Sequence, residues 1–370
     1  TYTTNRLGTA YKYRSEKIRF NLRMSVENAI LNSDREFPNP GEFRRTFNNI
    51  LPSAMFRYNY SKTKNLRVYY RTYTRPPSVN QLQNVLNNTN PLKLYMGNPD
   101  LDQEYSHRLF LRYTSTNPET SRNFYAYVSG IYMNNQITNS TFIAGQDTLL
   151  AGGILLPRGA QLIQPVNMAG HYTINSFANY SLPVKKLKSN LNLNASAGHS
   201  RNPGLINNNI NYSYVNNLGL GAVLASNISK NLDFTLSSRS NYNFVENTLR
   251  EDMNTQFFNQ VTHFRFNYIF WKNLVFRSDL NHQYFSGLAP GFNQSFFLWN
   301  LSVGKKIFKD QRGEIFLSVY DVLGQNNNIH RNVTETYIQD VQTNVLQRYF
   351  MLNFSYNLKS FKGAGLPDSE

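Results

Sequence analysis

Arg57 and Asn59, Arg67 and Arg71, and Arg277 and Asp279 are separated by even numbers of residues. In an extended chain that spacing puts both members of each pair on one face. Arg19 and Arg23, and Asn192 and Asn194, repeat the arrangement. On one reading, guanidinium and amide groups set in rows on a wet face line a watery lumen. They would then contact a cargo or a second protein domain. The same rows also serve simply to hydrate a wall and to pair among themselves. Arg277 and Asp279 suit a local ion pair of that kind.

Other chemistry has less to stand on. Asp100, Asp102 and Glu104 alternate and could offer oxygens to Ca²⁺. The spacing matches no EF-hand loop and lacks its glycine, and capping of a loop and a strand start accounts for the same residues. The six histidines (His107, His171, His199, His263, His282 and His330) form no paired motif, so no metal centre is expected. With no cysteine there is no thiolate and no disulfide. No Gly-x-Ser-x-Gly elbow or phosphate-cradling glycine loop is present. The expectation is a protein that is not an enzyme and carries no cofactor.

The elements that position these side chains are strands. Asn190 to Gly198 places Leu and Ala at odd positions and Asn, Ser and Gly at even ones. Ile18, Phe20, Leu22, Met24 and Val26 alternate with Arg19, Asn21, Arg23, Ser25 and Glu27. Phe264 to Phe270 and Phe350 to Leu358 repeat the pattern, as do Phe297, Trp299, Leu301 and Val303, and Leu7 to Tyr13 carries it back towards Thr1. One face of each strand is dry and the other wet. The segments run about ten residues or more and carry bulky aromatics near their ends, the signature of a membrane-spanning β-barrel. Mean hydropathy is only −0.51, but a spanning strand needs just every second residue apolar. No segment approaches the roughly 20 apolar residues of a membrane helix.

Two kinds of connection alternate. Short ones fall at 14–17, 61–65, 117–122, 183–189, 229–231, 271–273 and 309–313. Long ones fall at 29–48, 76–103, 140–163, 201–209, 246–254, 287–294 and 324–346. Tight turns on one rim and wide loops on the other are the habit of outer-membrane barrels. About fifteen strands result, an odd number, whereas single-chain bacterial barrels have an even one. Strands are therefore expected upstream of Thr1, the chain being mature or truncated at that end. In the 76–103 loop, Ser78 is a plausible N-cap for a helix of about two turns through Val79, Leu82, Val85 and Leu86. The net charge of +16 is spread over turns, with Lys62, Lys64, Lys185, Lys186, Lys188, Lys305 and Lys306 among the carriers. That dispersal argues against a nucleic-acid partner and suits lysines beside anionic lipid head groups.

Arg75-Pro76-Pro77-Ser78-Val79-Asn80-Gln81-Leu82, followed by Gly97-Asn98-Pro99-Asp100-Leu101-Asp102-Gln103-Glu104, resembles the R-P … G-N-P-x-L … E passage in the barrel of TonB-dependent outer-membrane receptors. Gln161–Asn167 and the ending Arg348–Leu358 are similar to the related outer membrane β-barrel family. The resemblance covers essentially the whole chain. It implies an all-β fold, a transmembrane antiparallel barrel of about 22 strands of which this chain supplies the C-terminal part, residues 1–361, with a tail at 362–370. It also implies an upstream plug domain and an energy-coupling complex of the inner membrane, reached through a region that this sequence does not contain. Arg75, Pro76, Gly97, Asn98, Pro99, Leu101 and Glu104 carry the motif and are expected to be mainly structural.

The reading that follows is a transport protein of the bacterial outer membrane, surrounded by lipid. Its long loops, 76–103 and 140–163 foremost, would capture a ligand and pass it through a plug-gated lumen. Arg57, Asn59, Arg67, Arg71, Arg277 and Asp279 would face that lumen. The alternative is a barrel that does not transport, an adhesin or envelope component whose loops bind a surface or periplasmic protein. No residue pattern specifies the cargo.

Overall fold

The computed structural model describes residues 1–35, 41–150, 153–226, 228–288, 291–333 and 338–358. The expected tail at 362–370 lies outside them. The chain opens on β1 (Tyr2–Arg14), β2 (Ile18–Arg35), β3 (Gly41–Asn59) and β4 (Lys64–Arg75). One helical turn, α1 (Val79–Leu82), and two short strands, β5 (Leu86–Asn87) and β6 (Lys93–Met96), follow. Long strands resume with β7 (Glu104–Asn117) and β8 (Arg122–Asn134). A folded excursion holds β9 (Gln136–Ile143), β10 (Thr148–Leu149), β11 (Leu155–Leu156) and β12 (Gln161–Met168). Then come β13 (His171–Val184), β14 (Ser189–Ile206), β15 (Asn209–Ser226), β16 (Leu232–Asn247) and β17 (Thr255–Phe270). The series ends with β18 (Leu274–Ser286), β19 (Gln294–Ile307), β20 (Gly313–Tyr320), a hairpin of β21 (Asn328–Val333) and β22 (Ile338–Thr343), and β23 (Tyr349–Tyr356).

One sheet takes 19 strands, and setting aside the short β5, β6, β9 and β12 leaves fifteen that form the wall. Each wall strand pairs antiparallel with the wall strand next in sequence. All seven short connections lie where the sequence placed them, and β1 and β23 run the same way.

Two of the long connections are strand over much of their described length. Residues 29–35 and 41–48 belong to β2 and β3, whose ladder continues through Asn28↔Asn48 to Arg35↔Gly41. Asn28 donates to Asn48 across it at 2.8 Å. Likewise 201–206 extends β14, and β15 starts at Asn209. Between them Asn207 and Asn208 have φ of 48° and 64°, the two left-handed positions of a tight hairpin turn that asparagine tolerates. These strands, 18 residues in β2 and β14, outrun the roughly 9–11 needed to cross a bilayer. Polar residues past the apolar belt end the dry face without ending the backbone ladder. The helix is also shorter than expected. Ser78 forms a full capping box with Gln81, but Gln83 is already extended and Leu86 pairs with Met96 as a strand.

The two faces differ as the alternation requires. Leu7, Val26, Leu218 and Leu220 are 82%, 55%, 53% and 67% exposed, while Glu27 on the opposite face of β2 is 1% exposed. Large apolar side chains therefore look outward, while on the polar face of β2 Ser25 and Glu27 are buried.

Above β8 and β13 the sheet does something unusual. In the wall, β13 lies beside β14. Beyond Asn135 and Gly170, both at positive φ, it is β9 that runs beside β14, while β12 lies on the far side and pairs parallel with β6. The two arms of this ribbon exchange sides. Gly170 is needed at the crossing because its space is filled by the Arg201 guanidinium, whose Nε donates to the Gly170 carbonyl at 2.7 Å.

Candidate functional site

The 76–103 segment is a clasped loop built on a few side chains. Gly97 packs against the carbonyl of Gln83 so closely that any Cβ would collide with it. The Asn98 amide nitrogen donates to the Pro165 carbonyl at 3.0 Å, and its oxygen accepts from the Asp100 backbone at 2.9 Å. Pro99 sets up the turn that brings Asp100 round. Leu101 is fully buried with Leu31 and Leu82, against Phe47 and Ile137. Glu104 accepts from the Ile137 backbone at 2.8 Å and sits opposite Arg75 in the β4–β7 ladder. Pro76 follows directly, beyond the last β4 residue. Arg45 of β3 donates to the Leu101 carbonyl and stands 3.9 Å from Asp100 and 3.8 Å from Asp102. The motif residues are thus placed as the clasp of the loop.

Asn167 of β12 ties three segments at once. Its amide oxygen accepts from the Asp102 backbone at 2.6 Å, and its nitrogen donates to the carbonyls of Asp102 and Asn135 at 3.0 and 2.8 Å. The excursion and the clasped loop therefore share a joint. Between them lies a cavity of about 710 Å³ bordered by Asn80, Asn87, Thr89, Tyr95 and Asn139. Its lining is neutral, amide-rich and partly aromatic, a surface that hydrogen-bonds a polar solute and stacks on a flat one.

The arginines expected on the polar face fall into two groups. Arg57 and Arg67 are direct partners across the β3–β4 ladder, and Arg71 stands further along the same face. Arg57 Nε donates to Asn59 at 2.8 Å, Arg67 Nε to Asn65 at 3.2 Å, and the Arg71 guanidinium lies 5.6 Å from the Tyr73 ring. Arg277 and Asp279 sit on β18, among different neighbours. They do not pair with each other. Arg277 meets Glu314 of β20 at 3.2 Å and lies 3.9 Å over the Phe316 ring. Asp279 accepts from Arg265 at 3.2 Å and faces His263 at 2.9 Å, both on β17. Arg265 is the direct ladder partner of Asp279 and so stands closer to it than Arg277 does, while Arg277 reaches across β19 to Glu314.

Several residues went unread in the sequence. Glu27 is buried, taking hydrogen bonds from Arg6 and, at 2.6 Å, from the Thr74 hydroxyl. Arg331 and Asp340 form a forked pair at 2.6 Å that is all but buried, and Arg331 also donates to the Gly287 carbonyl at 2.9 Å. Arg112 stands beside Arg67. Each depends on pairing between distant segments, which no local motif announces. In the β16–β17 loop, Arg250 forks onto Asp252 at 2.9 and 2.7 Å. These hydrogen bonds hold the Asp252 carboxyl below its usual value and the guanidinium above its own.

The family model for "Outer membrane protein beta-barrel family" matches residues 5–242 and 201–356. Among solved structures, the siderophore receptor PirA from Acinetobacter baumannii is similar at 10% identity and a TM-score of 0.41. That match covers 95% of this chain, and the chain spans 56% of that receptor's length. No curated protein matches the sequence.

Proposed function

We propose, from the premise that this chain belongs to the outer membrane protein beta-barrel family, that it forms much of the wall of a transport protein. The fold is a transmembrane antiparallel β-barrel, and the apolar belt of Leu7, Val26, Leu218 and Leu220 faces the lipid of the bacterial outer membrane. On our reading the wide loops of one rim capture a small polar solute, which then passes along the polar inner face. A plug domain encoded upstream would gate that passage, and an inner-membrane complex would energise it. Arg57, Asn59, Arg67, Arg71, Arg277 and Asp279 would line the route.

The observation that carries this reading is the joint between the two largest loops. A cavity of about 710 Å³ lies between the clasped 76–103 segment and the β9–β12 excursion. Cavities of this size and polarity suit small-molecule capture. The test replaces residues 84–92 by a Gly-Ser linker in the chromosomal gene. Uptake of radiolabelled oligosaccharides, oligopeptides, ferric chelates and corrinoids is then compared with the parent strain. Loss of uptake of one class, with normal surface display, supports transport. Unchanged uptake of all four, together with lost adhesion between cells, favours an adhesin and overturns the proposal.

A further inference from the structure

The ladders align more arginines than the sequence spacing suggests. Arg14 of β1 is paired with Arg19 of β2, Arg19 with Arg57 of β3, Arg57 with Arg67 of β4, and Arg67 with Arg112 of β7. Five neighbouring strands, spaced about 4.8 Å apart, therefore each carry an arginine at one level. The level lies next to the short turns, since Arg14 closes β1 and Arg19 is the second residue of β2. All five belong to the polar face, the side on which Glu27 is buried.

A second tier lies four residues further along these strands. Arg71 pairs with Arg108, and Arg23 reaches the same level through Ser53. Between the tiers run Asn21, Met55, Tyr69 and Phe110, successive partners in register. A cavity of about 440 Å³ opens there, bordered by Asn21, Ser53, Tyr69, Phe110, Arg71 and Arg108.

Like charges directly opposite in a ladder repel one another and destabilise the sheet. Carboxylates from the neighbouring strands could relieve this, yet among the described residues none forms a salt bridge to any of these eight arginines. Glu27 is committed to Arg6 and Thr74. The Arg112 Nε is buried and has no hydrogen-bond partner. Donors concentrated in this way, with no carboxylate of the described residues paired to them, match a ligand that brings several negative oxygens of its own. Planar forks spaced along a wall grip phosphate or carboxylate in pairs. Rings of arginine are also how pores favour anions.

We propose that the arginine band and the cavity above it form a binding site for a soluble, multiply charged oxyanion, with clustered phosphates or carboxylates as the recognised groups. The site stands whether or not the protein transports, because it is a property of the wall.

The test is titration calorimetry on the full chain folded in non-ionic detergent at low ionic strength. Tripolyphosphate and citrate are the two probes, and hexaglutamate is the competitor class. Saturable binding of one or both small anions is expected, and the tighter of the two identifies the chemistry. Arg57→Gln with Arg67→Gln should weaken it by at least about tenfold, and Arg57→Lys with Arg67→Lys should weaken it less. Lys185→Gln with Lys188→Gln removes as much charge from a distant turn and should leave affinity unchanged. Arg112→Gln serves if the double variant fails to fold, and should weaken binding by about threefold or more. Equal weakening by the lysine variant would reduce the site to general attraction and overturn the proposal. So would binding of hexaglutamate alone, or no saturable binding at all.

Discussion

Arg6 and Glu27 face each other across the β1–β2 ladder from opposite environments. The Arg6 side chain is 56% exposed and that of Glu27 only 2%. The pair is therefore asymmetric. Arg6→Met leaves the buried Glu27 carboxylate with Thr74 as its one hydrogen-bond donor among the described residues, and should cost about 3–5 kcal/mol. Glu27→Gln leaves an arginine that water can reach and an amide that still accepts from Thr74, and should cost only about 1 kcal/mol. Urea unfolding in detergent, followed by the fluorescence of Trp271 and Trp299, measures both. Equal losses would contradict the asymmetry.

Gly97→Ala should loosen the clasped loop, because the added methyl meets the Gln83 carbonyl and backbone cannot yield cheaply. The expected cost is about 1–3 kcal/mol, local to the loop. Limited proteolysis should then cut within 84–92 at least several times faster, while the wall strands keep their protection.

Leu193 and Asn192 are adjacent on β14 and look to opposite sides, with Leu193 44% exposed on the apolar face. Leu193→Arg should destabilise insertion by about 2–4 kcal/mol and Asn192→Arg by far less. The fraction of each variant recovered in outer membranes reads the difference. Comparable recovery would reverse the assignment of faces.

Arg331→Ala removes the forked pair with Asp340 and cuts the tie to Gly287. The β21–β22 hairpin should open at a cost of about 3–5 kcal/mol. Hydrogen exchange of the Asn328–Val333 amides should accelerate accordingly. Exchange unchanged there would mean that the backbone ladder alone holds the hairpin.

The Arg250–Asp252 fork carries a pH signature. The folded Asp252 carboxyl titrates below its ordinary value, so its stabilising contribution is complete above the unfolded pKa. It fades as pH falls through the lowered one. The protection of the Glu251–Met253 amides, taken relative to their intrinsic exchange rate at each pH, should therefore fall in acid, and Asp252→Asn should abolish that dependence while lowering protection at neutral pH.

Alternation made the wall legible, because a side-chain period of two is stated residue by residue, as in Ile18 to Glu27. Turn chemistry located the seven short connections of one rim. What stayed hidden was set by partners far off in sequence. The extent of β2 and β14 past the apolar belt depends on a facing strand, not on hydropathy. Asn207-Asn208 carried a hairpin signal that the run of asparagines masked. Val85 and Leu86 have helical spacing, yet the pairing of Leu86 with Met96 claims that segment for a strand. The clasp residues Gly97, Asn98 and Leu101 were visible as a motif. Their geometry was not, since Asn98 acts on Pro165 and Leu101 on Leu31 and Ile137. The arginine band is a matter of register, which one sequence does not disclose.

The bridging amide of Asn167 couples the fates of two segments that lie some 65 residues apart along the chain. A recombination event that imports only one of them would arrive without its counterpart anchor. Sequence change in this rim should accordingly proceed in blocks that span both, from the first proline pair to the far arm of the excursion.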